Sequence, residues 1–241
     1  MRRRDFLAVG AALLPCNALS QDVIEAMRFS SLQSGAALPD WLQPYEFPNL
    51  PRHTQFTLVE DDARTVLAAR ANASSSGLVR RLRADPRRFP VLAWRWKVMN
   101  LPLKGDIGTK AGDDFAARIY VVFDLDTATL SISERMQLAL ARAIWGEQVP
   151  AAALCYVWDV RTPAGTIVPN AYTDRVRMVV ADSGSAGLGR WISHERDLAV
   201  DFRRAFGVEP PLVSAVIVSA DTDNTGETTE SYFGDIEFHS R

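Results

Sequence analysis

Apolar and polar residues alternate along much of the chain, most clearly over residues 112–124. From Phe115 to Phe123 every second residue is apolar, and most of the residues between them are apolar as well. A period of two is that of a β-strand, and apolar residues on both faces are typical of a strand in the middle of a sheet. Aspartates stand at both ends of the run. We therefore predict a central strand over 112–124.

Similar alternating stretches predict a series of further short strands joined by polar turns. These predicted strands are Thr54–Glu60, Thr65–Ala71, Gly77–Arg83, Phe89–Met99, Thr129–Ile132, Ala153–Val160, Asp174–Ala181, Trp191–Asp197, Val213–Ala220 and Thr229–His239. The pattern lacks regular strand–helix alternation, which disfavours a doubly wound α/β fold. Many short strands with few helices predict a mainly β protein, namely an antiparallel β-sandwich of jelly-roll type with one or two inserted helices.

Two stretches have helical rather than alternating spacing. Over Ser133–Trp145 the apolar residues recur at helical intervals, and Ser133 can cap the first turn. Leu198–Phe206 predicts a second, shorter helix, which Gly207 is expected to end. Near the N-terminus we interpret Gln21–Phe29 as a short helix or as the frayed end of a leader.

The first twenty residues have the pattern of an export signal. Three arginines precede the short apolar run Ala8–Leu14, and small residues follow near Ser20. The spacing of the arginines from Phe6 resembles that of twin-arginine signals. We therefore predict an export signal over 1–20, a single β-sandwich domain over 21–241 and a periplasmic location. Removal of the signal would leave Cys155 alone, so no intrachain disulfide is expected.

The composition is that of an ordinary globular protein. Hydrophobic residues make up 47% of the chain, charged residues 23%, and the formal net charge is −2. Nucleic-acid-binding proteins usually carry a clear basic excess, so nucleic acid is not an expected partner. Beyond the signal, no apolar run approaches the roughly 20 residues that span a bilayer, so no membrane span is predicted in the mature chain.

Several long motifs carry a resemblance to a known family. They are Trp94–Val98, Gly112–Asp124, Asn170–Arg177, Glu195–Asp197, Phe206–Pro211 and Asp221–Gly226. Together they resemble the DUF3047 family of exported bacterial proteins from about Trp41 to Phe238. The family name denotes unknown function, so this resemblance implies no specific chemistry. The last strand pair is also similar to that of carbohydrate-binding jelly-rolls.

Aromatic and charged residues on neighbouring predicted strands suggest a ligand-binding face. The candidate ligand-binding residues are Arg95, Trp96, Asp113, Arg118 and Trp158. Indole rings can stack on the apolar faces of sugars, but both tryptophans also share a strand face with aliphatic residues, as core residues do. A half-buried Arg118 needs a carboxylate partner, which fits a structural ion pair as well as a ligand-binding role.

A cationic strip is also suggested by the sequence. Arg95, Lys97 and Arg118 lie on the non-core faces of predicted strands. If those strands are neighbours, the strip favours an anionic glycan, a lipid head group or an acidic partner in the cell envelope. Salt bridges with nearby aspartates are the alternative.

One loop is rich in oxygen ligands. Asp221, Asp223 and Asn224 fall within four residues, a pattern that suits calcium. An EF-hand is excluded because Tyr232 stands where the bidentate glutamate should be. The favoured alternative is a loop whose side chains bond its own backbone, so no cofactor is predicted.

A catalytic interpretation depends on two carboxylates. Glu195 and Asp197 are two residues apart on a predicted strand, so both face the same side, as glycosidase chemistry requires. The related sandwich motif has a third acid where this chain has Val200. The three histidines are far apart, and the sequence carries no nucleophile elbow or phosphate loop.

Three functions are compatible with these patterns. The leading hypothesis is an exported, non-catalytic protein that binds a glycan or a glycan-like envelope component. The first alternative is a glycosidase-like enzyme that uses Glu195 and Asp197. The second alternative is a structural component of an envelope assembly, which would be favoured by a wide, flat, apolar face.

Overall fold

The structure is a computed structural model that describes residues 22–47, 50–125 and 151–241, together with a few isolated positions in between. The predicted export signal, the strand Thr129–Ile132 and the helix Ser133–Trp145 lie outside these ranges. Among the helices that the structure describes, none is long and apolar enough to span a bilayer.

The described chain is mainly β. Its strands are β1 (Val23–Met27), β2 (Gln43–Tyr45), β3 (Gln55–Asp61), β4 (Arg64–Asn72), β5 (Ser75–Ala84), β6 (Val91–Val98), β7 (Arg118–Phe123), β8 (Ala153–Asp159), β9 (Ile167–Pro169), β10 (Val176–Ser183), β11 (Ile192–Asp197), β12 (Val213–Asp221) and β13 (Thr228–His239). Helix α1 spans Leu198–Phe206, and short 3-10 helices span Phe29–Ser31 and Lys110–Gly112.

The strands form two sheets that face each other. Sheet I has the order β11-β6-β13-β4-β3, with β1 beside the end of β13. Sheet II has the order β2-β5-β12-β7-β8-β10-β9. The predicted β-sandwich is confirmed. Within the described ranges its pairs are antiparallel, except that β10 runs parallel to β8, so sheet II is mixed.

The core between the sheets explains the alternation in the sequence. Trp94 and Trp96 on β6 face Tyr156 and Trp158 on β8, with ring centroids 5.0 Å apart for Trp94–Tyr156 and 6.3 Å apart for Trp96–Trp158. The residues between them on β6 point away from the core. Truncating a large buried aromatic residue of this kind costs about 3–5 kcal/mol.

Helix α1 begins and ends where the sequence predicts. Asp197 accepts a hydrogen bond from the backbone N–H of Val200 and so caps the first turn, and Gly207 follows the last turn with a φ of 75°. The ring of Phe202 lies 4.5 Å from that of Phe123. The helix therefore covers one end of the core.

Three segments differ from their sequence-based predictions. The central strand begins at Arg118 rather than at Gly112, because the preceding residues form a buried loop. Val23–Met27 is a strand rather than a helix, since it pairs with the C-terminal part of β13. Strand β9 was not predicted, and its three residues pair with β10.

Candidate functional site

The outer face of sheet II is covered by the connection between β6 and β7. Residues 101–117 of this connection lie over the strands and bring Ile107 and Phe115 onto buried Cys155 and Met178. A second, smaller core thus lies on the far side of the sheet. Burial raises the pKa of the Cys155 thiol.

Arg118 lies beneath this cover with 2% of its surface exposed. Its Nε donates to Asp221 Oδ1 at 2.9 Å, its Nη2 donates to Asp221 Oδ2, and its Nη1 donates to the Tyr120 hydroxyl at 3.1 Å. The Phe115 ring lies 4.4 Å from the guanidinium. The sequence left open whether Arg118 forms a structural ion pair or binds a ligand, and this geometry is that of a structural ion pair.

Two neighbouring aspartates join the covering loop to other loops. The Asp113 carboxylate accepts a hydrogen bond from Asn170 Nδ2 at 3.2 Å, and burial raises the pKa of Asp113. The Asp114 carboxylate accepts from the backbone N–H groups of Asn224 at 3.2 Å and Thr225 at 2.6 Å. Asp113 and Asp114 therefore hold the buried loop in place.

Three carboxylates in this region could in principle ligate a cation. Oxygen atoms of Asp114, Asp221 and Asp223 lie within 4.8 Å of one another, and such hard donors suit calcium. The sequence pointed to Asp221 and Asp223 but missed Asp114. Asn224, also predicted as a ligand, donates its Nδ2 to the Tyr172 hydroxyl at 3.2 Å. Hydrogen bonds to Arg118 and to loop amides account for Asp221 and Asp114, so we assign no cation to the cluster.

Trp96 and Trp158 are core residues. They are 0% and 1% exposed, and their indole N–H groups donate to Asp182 Oδ2 at 2.6 Å and to the Gly184 carbonyl at 3.0 Å. Neither ring face is open to a ligand, which corrects the expectation that both stack on sugars. Trp96 and Trp158 have the core positions that the sequence indicated as their alternative role, because aliphatic residues share their strand faces.

The outer face of sheet I carries a different set of side chains. Arg95 and Lys97 alternate with Trp94 and Trp96 on β6 and so point outward. The Arg95 guanidinium lies 4.4 Å from the ring centroid of Trp191, and Lys97 Nζ lies 4.7 Å from that of Tyr232. All four side chains of this aromatic–cation strip (Trp191, Arg95, Lys97 and Tyr232) belong to half-buried residues. Of the five predicted ligand-binding residues, Arg95 is therefore the one on this face.

Two carboxylates fix the strip. Asp61 forms an ion pair with Lys97 and accepts from Trp191 Nε1 at 3.0 Å. Burial acts to raise the pKa of Asp61, but these hydrogen bonds outweigh it, so the pKa lies below its ordinary value. Glu230 accepts from the Tyr232 hydroxyl at 2.6 Å, and this bond, together with Arg70, lowers the pKa of Glu230.

A glycine makes room for the strip. A Cβ atom on Gly234 would lie 2.5 Å from Cγ of Arg95 and 2.7 Å from its Nε. The absence of a side chain lets Arg95 cross the surface of β13 toward Trp191. Sequence patterns missed Trp191 and Tyr232, although Tyr232 alternates with buried Ser231 and Phe233 on β13 and could have been recognised as an outward-facing ring.

A polar pocket of about 660 Å³ adjoins the strip. Its lining residues are Arg52, His53, Gln55, Arg70, Ala71, Asn72, Ser74, Asn100, Thr228, Thr229 and Glu230. Arg70 Nη2 donates to Glu230 Oε1 at 2.8 Å, and the same oxygen accepts from Tyr232. The pocket and the strip therefore form one continuous surface, which is the candidate site.

The predicted catalytic pair lies apart from this pocket. Glu195 is exposed on β11, whereas the Asp197 carboxylate caps α1 and pairs with Arg241. Neither residue lines the pocket. The geometry therefore adds no support to the catalytic alternative.

Comparison with known proteins places the chain in a family. No curated protein matches it. The family described as "Protein of unknown function (DUF3047)" matches residues 39–237, which includes both sheets almost entirely. The chain therefore belongs to the DUF3047 family.

Proposed function

We propose that this protein binds a glycan of the cell envelope, without catalysis, on the outer face of sheet I. The observation that carries the proposal is the continuity of the aromatic–cation strip with the polar pocket through Arg70 and Glu230. Sugar rings present apolar faces to aromatic side chains and hydroxyl groups to polar side chains. This surface offers aromatic and polar side chains next to each other.

The polar groups of the site are held in place before any ligand arrives. Asp61 bonds both Trp191 and Lys97, and Glu230 bonds both Tyr232 and Arg70. Side chains that are already ordered lose less conformational entropy when they bind. The strip therefore suits the recognition of flat, weakly hydrophobic rings, for which each contact contributes little.

The size of the pocket fits the same ligand class. Small-molecule sites are typically clefts of about 300–1,000 Å³, and the pocket falls within this range at about 660 Å³. We propose that the pocket takes one end of the glycan while the strip takes further rings. The arginine-rich N-terminus supports export to the periplasm, where envelope glycans are found.

The test is calorimetric titration of the full chain with soluble hexasaccharides, namely cellohexaose, chitohexaose and an alginate hexamer. Trp191→Ala is expected to weaken binding at least about tenfold, which corresponds to about 1.4 kcal/mol. The matched control is Trp41→Ala, since Arg80 lies 4.6 Å from the Trp41 ring outside the site. Binding that is equally strong in both variants, or absent from the whole panel, would contradict the proposal.

A further inference from the structure

The pocket beside the strip contains a cation without a partner. Arg52 lines the pocket and makes no ion pair within the described part of the chain. The other charged groups are engaged, because Arg70 bonds Glu230 and His53 Nδ1 lies 3.1 Å from Glu46. Arg52 is therefore the guanidinium that is available to a ligand.

Hydrogen bonds fix the wall of the pocket. Asn100 Nδ2 donates to the carbonyl of Thr228 at 2.6 Å, and Asn100 Oδ1 accepts from the backbone N–H of Glu230 at 3.1 Å. These two bonds tie the loop after β6 to the start of β13, on either side of Thr229. The pocket wall is therefore built before a ligand enters.

We propose that the pocket is an oxyanion subsite, which binds the carboxylate of a uronic acid or the sulfate of a sulfated sugar. Arg52 supplies the charge, in the planar geometry that matches two oxygens of the anion. The inference rests on the proposed function only in that the anion is carried by a sugar. It names the ligand class as an acidic rather than a neutral glycan.

The charge of the surrounding surface agrees with an anionic ligand. The pocket and the strip present four cations, Arg52, Arg70, Arg95 and Lys97, against the carboxylates of Asp61 and Glu230. The whole chain has a formal net charge of −2. A local cationic surface on an acidic protein steers anionic ligands to that surface.

The experiment is an NMR titration of the ¹⁵N-labelled full chain with three monosaccharides. Glucuronate carries a carboxylate, glucose 6-sulfate carries a sulfate ester, and glucose is neutral. We expect at least one acidic sugar to shift the amide signals of Asn72 and Thr229 and to bind at least tenfold more tightly than glucose. The acidic sugar that binds more tightly identifies the anion. Equal shifts with all three sugars, or shifts with none, would overturn the proposal.

Variants separate the subsite from a general effect of charge. Arg52→Ala is expected to weaken binding of the acidic sugar at least tenfold, whereas Arg204→Ala, which removes an exposed arginine from α1, leaves it unchanged. Equal effects of Arg52→Ala and Arg204→Ala would overturn the proposal.

The two proposals fail in different ways. If Trp191→Ala leaves hexasaccharide binding intact while Arg52→Ala abolishes glucuronate binding, the strip is wrong and the subsite stands. If Trp191→Ala weakens hexasaccharide binding while Arg52→Ala leaves glucuronate binding intact, the subsite is wrong and the strip stands.

Discussion

The two outer faces of the sandwich use arginine in opposite ways. On sheet II, Arg118 is buried beneath residues 101–117 and held by Asp221. On sheet I, Arg95 lies at the surface against Trp191. Both arginines occupy non-core strand faces, Arg118 on β7 in the middle of sheet II and Arg95 on β6 beside the middle strand of sheet I. The covering loop, and not the position on the strand, therefore decides whether such an arginine is enclosed in the fold or lies at its surface.

The energetic consequences of the two environments differ. An arginine taken out of water loses its hydration, so removing either partner of a buried pair leaves an uncompensated charge. Exposed pairs contribute little, because water and salt screen them. The exposed Arg70–Glu230 pair of sheet I therefore contributes less to stability than the buried Arg118–Asp221 pair of sheet II.

The largest expected effect is that of Arg118→Met. We expect the free energy of unfolding to fall by about 3–5 kcal/mol, because Asp221 would remain buried without its cation. Urea unfolding followed by tryptophan fluorescence measures this change. The double variant Arg118→Met/Asp221→Leu should be more stable than Arg118→Met alone. A single variant as stable as the wild type would remove the contrast between the faces.

Two glycines, one in each sheet, differ in what surrounds them. A Cβ on Gly77 in sheet II would lie 2.8 Å from the carbonyl oxygen of Val218, and the backbone there cannot easily move. Gly77→Ala should therefore cost about 1–3 kcal/mol. A Cβ on Gly234 in sheet I meets the flexible side chain of Arg95. We expect Gly234→Ala to cost less than Gly77→Ala but to weaken glycan binding, as thermal unfolding and calorimetric titration would show.

Asp223 offers a test by pH. Burial, followed by the charge of Asp114, raises the pKa of Asp223. A carboxyl group whose pKa is raised by folding contributes stability below its unfolded pKa, and this contribution is lost as the pH rises through the folded pKa. Asp223→Asn should therefore raise the melting temperature at neutral pH by up to about 4 °C. The gain should vanish near pH 3, where the wild-type group is protonated. A gain of the same size at both pH values would contradict this account.

The smallest expected effect is that of Arg70→Ala. Its side chain is 55% exposed and pairs with Glu230, so we expect a loss of no more than about 0.5 kcal/mol in urea unfolding. A loss comparable to that of Arg118→Met would show that the two faces are not energetically distinct.

The sequence predicted the parts of the fold that depend on one-sided burial. Strand β6 alternates because Trp94 and Trp96 face the core while Arg95 and Lys97 face outward. Helix α1 was predicted with its bounds because its cap and its terminating glycine are local signals. Strand β1 was missed because its partners, such as His239 for Val23, lie at the other end of the chain.

The candidate site was harder to predict. Phe115 is apolar because it covers sheet II, and an alternating pattern does not distinguish a cover from a strand. Asp114 was missed because it bonds Asn224 and Thr225, more than a hundred residues away. Trp191 and Trp96 look alike in the sequence, and only their opposite positions relative to the core distinguish a surface ring from a buried one.

Cys155 lies on β8, between β7 and β10 in sheet II, and is a buried reactive group that reports on strand separation. Alkylating reagents attack the thiolate, which burial disfavours here, and they reach the sulfur only when the neighbouring strands part. In a chain carrying Cys16→Ser, the rate at which iodoacetamide alkylates Cys155 would therefore report how often the sandwich opens, without any introduced probe.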